Sequence, residues 1–182
     1  MRIGFDLDRV FINYPPFLSA RLINWRYKQK ENGELLYRIP KKPEQMLRII
    51  LHYSIFRPAM NENIKLLRKL DHEHNKLFLI SSRFGFLKKR TEIIMKRYGL
   101  SQYFDEVFFN YKSEQPHEFK EKVLKKLDLD MYIDDDLSIL KFVAKTNKKI
   151  KLYWLNYEYS KPLGDNLFAV KSLSDIFSSL IH

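Results

Sequence analysis

The sequence predicts a doubly wound α/β domain, a parallel sheet with helices on both faces. Short, continuously apolar runs recur along the chain, as in strands covered on both sides. Segments with apolar residues three and four positions apart alternate with them. At 182 residues, 45% hydrophobic and 30% charged, the chain is globular in composition and long enough for one domain with a modest insertion.

The predicted strands are Arg2–Leu7, Leu77–Ile80, Glu106–Phe109, Met131–Ile133, Ile150–Leu155 and Leu167–Val170. Between them, Ile64, Leu67 and Leu70 share one helical face, with Pro58 as its first-turn residue. Leu87, Thr91, Ile94, Met95 and Tyr98 form a second stripe, stopped at Gly99. Phe119, Val123 and Leu127 form a third, preceded by Pro116. Leu173, Ile176, Phe177 and Leu180 form the last, with Ser172 and Asp175 spaced as a capping box.

One region interrupts the alternation. Residues 13–57 contain no clear strand; Trp25, Tyr27, Tyr37, Leu47, Ile50 and Tyr53 suggest small helices around a minor core. Nine basic residues there face three acidic ones, a net +6 out of the whole chain's +11. An insertion directly after the first strand lies at the carboxyl edge of the sheet, where open α/β folds bind ligands. The expected division is a core of residues 1–12 and 58–182 with a small helical cap at 13–57.

Composition excludes several classes. Without Cys there are no disulfides, thiolate metal sites or cysteine nucleophiles. Asp6 and Asp8 interrupt the apolar start, so no signal peptide is read, and no uncharged run near that end approaches the roughly 20 residues of a membrane helix. A cytoplasmic protein without membrane contact is expected. The positive balance by itself favours anionic partners, whether small phosphorylated molecules, nucleic acid or a membrane surface, and does not choose among them.

Acidic residues mark the strand ends. Asp6-Leu7-Asp8 closes the first strand, and alternation puts both carboxylates on one side. Asp134-Asp135-Asp136 closes the fourth. Two acidic clusters at one sheet edge repel each other, and a hard divalent cation such as Mg²⁺ would relieve that repulsion. Ser81-Ser82 ends the second strand, followed by Arg83: a hydroxyl, helix-start N–H groups and a guanidinium suited to phosphate. A lysine near the third helix would complete the balance.

In this order the motifs resemble the haloacid dehalogenase-like phosphohydrolases. Their first motif reads here as Asp6-Leu7-Asp8-Arg9-Val10, their second as LFLIS ending in Ser81, and their fourth as YIDD with Asp134 and Asp135. The resemblance implies a Rossmann-like core with a cap inserted after the first motif, and a nucleotidase-like member fits best. It implies Asp6 as nucleophile forming an aspartyl-phosphate, and Asp8 as general acid and then base. Ser81 and Lys120 would contact the phosphoryl group, with Ser82, Arg83 and Arg9 binding substrate. Mg²⁺ would be held by Asp6, the Asp8 main-chain carbonyl, Asp134 and Asp135. The family usually has Gly where this chain has Arg9. Lys120 is preferred as the third-motif lysine, with Lys112 as its rival.

The resulting expectation is a Mg²⁺-dependent phosphomonoesterase acting on a nucleotide or another small phosphate ester. Phosphorylated nucleic-acid ends are the alternative substrate. A receiver-like or catalytically silent phosphate-binding module is the other class; receivers carry their phospho-acceptor on the third strand, whereas FDLD ends the first. His72 and His74, flanked by Asp71 and Glu73, invite a metal reading, but they fall where solvated linker residues are expected.

Overall fold

The computed structural model describes residues 1–18, 28–31, 34–70 and 74–177. Trp25, Tyr27, Asp71, His72, Glu73 and Leu180, all singled out above, lie outside the described residues, as do Arg21 and Arg26 among the nine basic residues of 13–57.

In chain order the strands are β1 Arg2–Phe5, β2 Lys28–Glu31, β3 Glu34–Tyr37, β4 Lys76–Ser81, β5 Glu106–Phe109, β6 Met131–Asp134, β7 Lys151–Leu155, β8 Lys161–Pro162 and β9 Leu167–Val170. The helices are α1 Lys42–Leu51, α2 Asn61–Lys69, α3 Lys88–Arg97, α4 Pro116–Leu127, α5 Leu137–Thr146 and α6 Ser174–Phe177. Seven strands form one sheet in the order β5-β4-β1-β6-β7-β9-β8. All its pairs are parallel except the short edge pair of β8 with β9. The doubly wound α/β reading holds, and each predicted strand is present to within two residues at either end.

Alternation along the strands sorts the core into two layers. Ile3, Phe5, Leu77, Leu79, Met131 and Ile133 pack with residues of α2, α3 and α6. Phe78, Ile80, Tyr132 and Leu152 pack with α4 and α5 on the opposite face. Gly4 faces this second layer at a place with no room for a side chain. A Cβ there would lie 2.5 Å from Leu129 Cδ1 and 2.9 Å from Tyr132 Cδ2.

The insertion differs from expectation. It contains an antiparallel hairpin, β2 with β3, as well as the helix α1. The strands are separated by Asn32-Gly33, the dipeptide favoured in two-residue hairpin loops. The polar run Lys-Gln-Lys-Glu of β2 hides the signal, because strands are read from apolar alternation and this run has none. The helix expected to start at Pro58 begins at Asn61. Ala59 and Met60 are engaged elsewhere: Ala59 bridges Ile12, and the Met60 N–H donates to the Phe11 carbonyl at 2.8 Å. The chain thus leaves and re-enters the core through two antiparallel segments lying side by side. At α6, the Ser172 N–H donates to Asp175, and the Asp175 N–H donates back to the Ser172 hydroxyl, as the capping box predicts.

Substituting Gly4→Ala should lower unfolding free energy by about 1–3 kcal/mol, because Leu129 and Tyr132 must move off their packed positions. Urea denaturation of the two proteins measures this, and an unchanged midpoint would contradict the packing described.

Candidate active site at the carboxyl edge of the sheet

Adjacent strands β1 and β6 end side by side, and their period-2 alternation fixes which side chains meet. Asp6 shares the parity of Gly4, and Asp134 that of Tyr132, so both carboxylates belong to the α4/α5 face. On α4, Lys120 lies with Val123, Leu124 and Leu127 on the buried face, at the three- and four-residue spacing that brings side chains to one side. Its ammonium donates to Asp6 Oδ1 at 2.8 Å and to Asp134 Oδ2 at 2.6 Å. Lys120 is 2% exposed and Asp134 is fully buried. Lys112 is exposed in the turn before α4.

The other acceptors of these carboxylates are filled from nearby. Asp6 Oδ2 accepts from the Asp8 N–H at 2.8 Å. Asp134 accepts from the Tyr132 hydroxyl at 2.9 Å and from the Asp136 N–H at 3.0 Å. Burial pushes the Asp6 carboxyl up to about 6, with Lys120 opposing the rise and Asp134 adding to it. Burial also raises Asp135, reinforced by the charges of Asp134 and Asp6. Lys120 stays charged: although burial works against its ammonium, Asp134 and Asp6 hold it well above the ordinary lysine value.

Carboxylate oxygens of Asp6, Asp134 and Asp135 lie within 4.8 Å of one another. An all-oxygen, strongly acidic, largely buried set is the donor chemistry of a hard divalent cation, so these residues fit Mg²⁺. The Asp8 carboxylate is turned elsewhere. It accepts from Arg83 Nε at 2.9 Å and Arg83 Nη2 at 2.7 Å, and from Arg57 Nη2 as well. Arg9 has left-handed backbone, φ 56°, the conformation that favours the Gly usual in this motif. Its carbonyl accepts from the Tyr157 hydroxyl at 2.6 Å, the Val10 carbonyl accepts from Asn63 at 2.6 Å, and its guanidinium lies 3.8 Å from Asp135.

Asp136 ties the insertion to the core. It caps α5 by accepting from the Ser138 N–H, and it also accepts from Lys28 Nζ and the Tyr37 hydroxyl, each at 2.7 Å. Burial alone would raise its carboxyl, but Lys28 and the Tyr37 bond outweigh that and hold it below the ordinary value. The Tyr37 N–H and carbonyl are both bonded by the Gln115 side chain. A cavity of about 390 Å³ lies between the insertion and the sheet edge. Asp6, Asp134, Asp135, Ser81 and Lys120 line its floor, and α1 contributes Leu47, Arg48 and Leu51.

Of the residues singled out from sequence, Asp6, Asp8, Ser81, Ser82, Arg83, Lys120, Asp134 and Asp135 all line this cavity. Ser82 donates to the Pro116 carbonyl at a long 3.5 Å. Arg9 flanks the cluster through Asp135. Four contributors were missed. Tyr132 carried a usable signal, since two residues before Asp134 on a strand means the same face. Arg57, Lys28 and Tyr37 carried none, because long-range folding alone brings them to Asp8 and Asp136.

No protein-family model matches the chain, and no curated protein matches it in sequence. Solved structures do match. A haloacid dehalogenase-like family hydrolase from Xanthomonas campestris superposes with a TM-score of 0.59 at 14% identity, over 98% of this chain and 95% of that one. A HAD-superfamily hydrolase from Ehrlichia chaffeensis gives 0.57 at 15%, over 98% and 94%. The chain has the haloacid dehalogenase-like fold. An archaeal beta-phosphoglucomutase from Pyrococcus sp. strain ST 04 shares that fold, with a TM-score of 0.54 at 15% identity over 99% of this chain and 98% of that one. At these identities the likeness is one of fold. The haloacid dehalogenase-like reading of the DLD, LFLIS and YIDD motifs agrees with it.

Replacing Lys120 by Met would leave Asp6 and Asp134 buried without their cation. Breaking a buried ion pair from one side costs about 3–5 kcal/mol, so the melting temperature of Lys120→Met should fall markedly. A variant as stable as wild type would show that the ammonium is not what allows these carboxylates to be buried together.

Proposed function

We propose that the chain is a phosphomonoester hydrolase that works through a phosphoryl group carried on Asp6, with Mg²⁺ as its metal. The observation that carries this reading is the Lys120 ammonium held between Asp6 and Asp134, beside Asp135 and beneath an open cavity. Asp6, Asp134 and Asp135 would hold the ion, together with the Asp8 main-chain carbonyl. Mg²⁺ supplies charge neutralisation to the phosphoryl oxygens when bound.

Asp6 attacks phosphorus with a carboxylate oxygen; the new O–P bond forms as the bond to the leaving oxygen breaks. Two donors orient that carboxylate, the Lys120 ammonium and the Asp8 N–H, so it meets the substrate in one rotamer. Lys120 also offsets negative charge as it gathers on the phosphoryl oxygens, and Ser81 at the end of β4 offers a hydroxyl to them. Asp8 gives a proton to the leaving oxygen and then takes one from the water that attacks the acyl phosphate. That second attack releases inorganic phosphate and restores the Asp6 carboxylate. To act so, Asp8 must exchange part of its bonding to Arg57 and Arg83 for the substrate. The guanidiniums meanwhile hold it in place at the edge of the cavity. The floor is polar and charged while Leu18, Leu47, Leu51, Phe84 and Leu87 form apolar walls, which suits a small phosphorylated molecule.

Asp6→Asn should abolish release of phosphate from an aryl phosphate with Mg²⁺ present, because an amide cannot form the acyl phosphate. Retained turnover in this variant would sink the mechanism. Added Mg²⁺ should raise the melting temperature of wild type, and much less that of Asp135→Ala. Equal shifts would place the metal elsewhere.

A further inference from the structure

On the wall of the cavity above Asp8, two guanidinium groups share one carboxylate as their ion-pair partner. Arg57 and Arg83 both donate to Asp8, two guanidinium groups on a single anion. Both are deeply buried, Arg57 at 2% and Arg83 at 5% exposure, and both line the cavity. Arg83 spends a further donor on the Thr91 hydroxyl at 3.3 Å. Arg57 Nε is buried with no hydrogen-bond partner among the described residues. Leaving a charged donor unpaired inside a protein is costly, and such sites persist where a ligand completes them.

The neighbours narrow the choice of ligand. His52 lines the same wall, and its Nδ1 lies 2.7 Å from the Arg48 carbonyl, so Nδ1 carries the proton and donates. Burial, followed by the Arg83 charge, holds this imidazole neutral, so it adds no charge of its own. In the proposed reaction Asp8 protonates the leaving oxygen, and both guanidiniums bond the Asp8 carboxylate, so they lie next to the group that meets the leaving group.

We propose that Arg57 and Arg83 form a carboxylate-binding subsite, so that the substrate is a small phosphomonoester whose leaving group bears a carboxylate. This rests on the phosphomonoesterase reading of the Asp6 site. One carboxylate matches the planar guanidinium fork; with Asp8 bonded and the charges of Asp6 and Asp135 also reaching the pair, a second phosphate would bring more negative charge than it can balance.

The test uses phosphonates, which cannot be hydrolysed, so that binding is read without turnover. Calorimetry with Mg²⁺ present compares 3-phosphonopropionate with propylphosphonate, and 4-phosphonobutyrate with butylphosphonate. Wild type should bind at least one carboxylate member about tenfold more tightly than its alkyl counterpart, the worth of one charge-assisted bidentate contact. In Arg57→Gln the two members should bind alike. Arg57→Lys keeps the charge without the fork and should show a reduced preference; it decides the matter if Arg57→Gln does not fold. Equal binding of both members by wild type, or an undiminished preference in the folded variant, overturns the subsite. Tighter binding of propane-1,3-bisphosphonate than of either carboxylate overturns the choice of carboxylate. A carboxylate preference in a protein that hydrolyses no phosphomonoester supports the subsite and overturns the proposed reaction instead.

Discussion

The contact of one ammonium with two carboxylates organises this molecule. Asp6 and Asp134 end neighbouring parallel strands on the same face of the sheet, with their backbones held at strand spacing. Two anions that close, both out of water, repel strongly and each carries a desolvation cost. Lys120 reaches both within 2.8 Å and is itself buried, so the charge is balanced only while α4 keeps its register over β1 and β6. That register is set by the apolar contacts of Phe119, Val123, Leu124 and Leu127 beneath the second core layer. Packing and electrostatics therefore select the same arrangement. The same charges that are costly to bury form the centre of the candidate chemistry.

Above this centre the site is polarised. Its floor carries the acids of two motifs, and its far wall carries guanidinium groups from the insertion boundary and from the loop after β4. Asp8 lies between the two, with its N–H on the floor and its carboxylate on the wall. Asp136 has a comparable double role, capping α5 with one set of bonds and holding the hairpin through Lys28 and Tyr37 with another. The insertion is thus joined to the core by partly buried polar contacts around the cavity as well as by its two connecting segments. These contacts set the dimensions of the space a substrate enters.

Much of the fold was legible because the main determinants are local. A buried parallel strand must be apolar throughout, so LFLI, EVFF and LFAV stand out from their neighbours. Pro116 at the start of α4 and Gly99 after α3, with φ 60°, are signals carried by single residues. The hairpin escaped because β2 lacks the apolar alternation by which strands are read. The start of α2 escaped for another reason: Ala59 and Met60 are recruited by Phe11 and Ile12, a pairing no local window contains.

The sequence by itself determined the order of strands and helices, the acids at the strand ends, and the side of the sheet on which they emerge. Those properties follow from the periods of strand and helix, which are written residue by residue. Only the tertiary structure decided which lysine reaches the acids, that Asp8 is gripped by Arg57 and Arg83, and that Lys28 and Tyr37 meet at Asp136. Apart from Lys120 with Asp134, 14 positions away, each of these joins residues separated by tens of positions. Their meeting depends on how whole elements pack, and nothing in the neighbourhood of either partner encodes it.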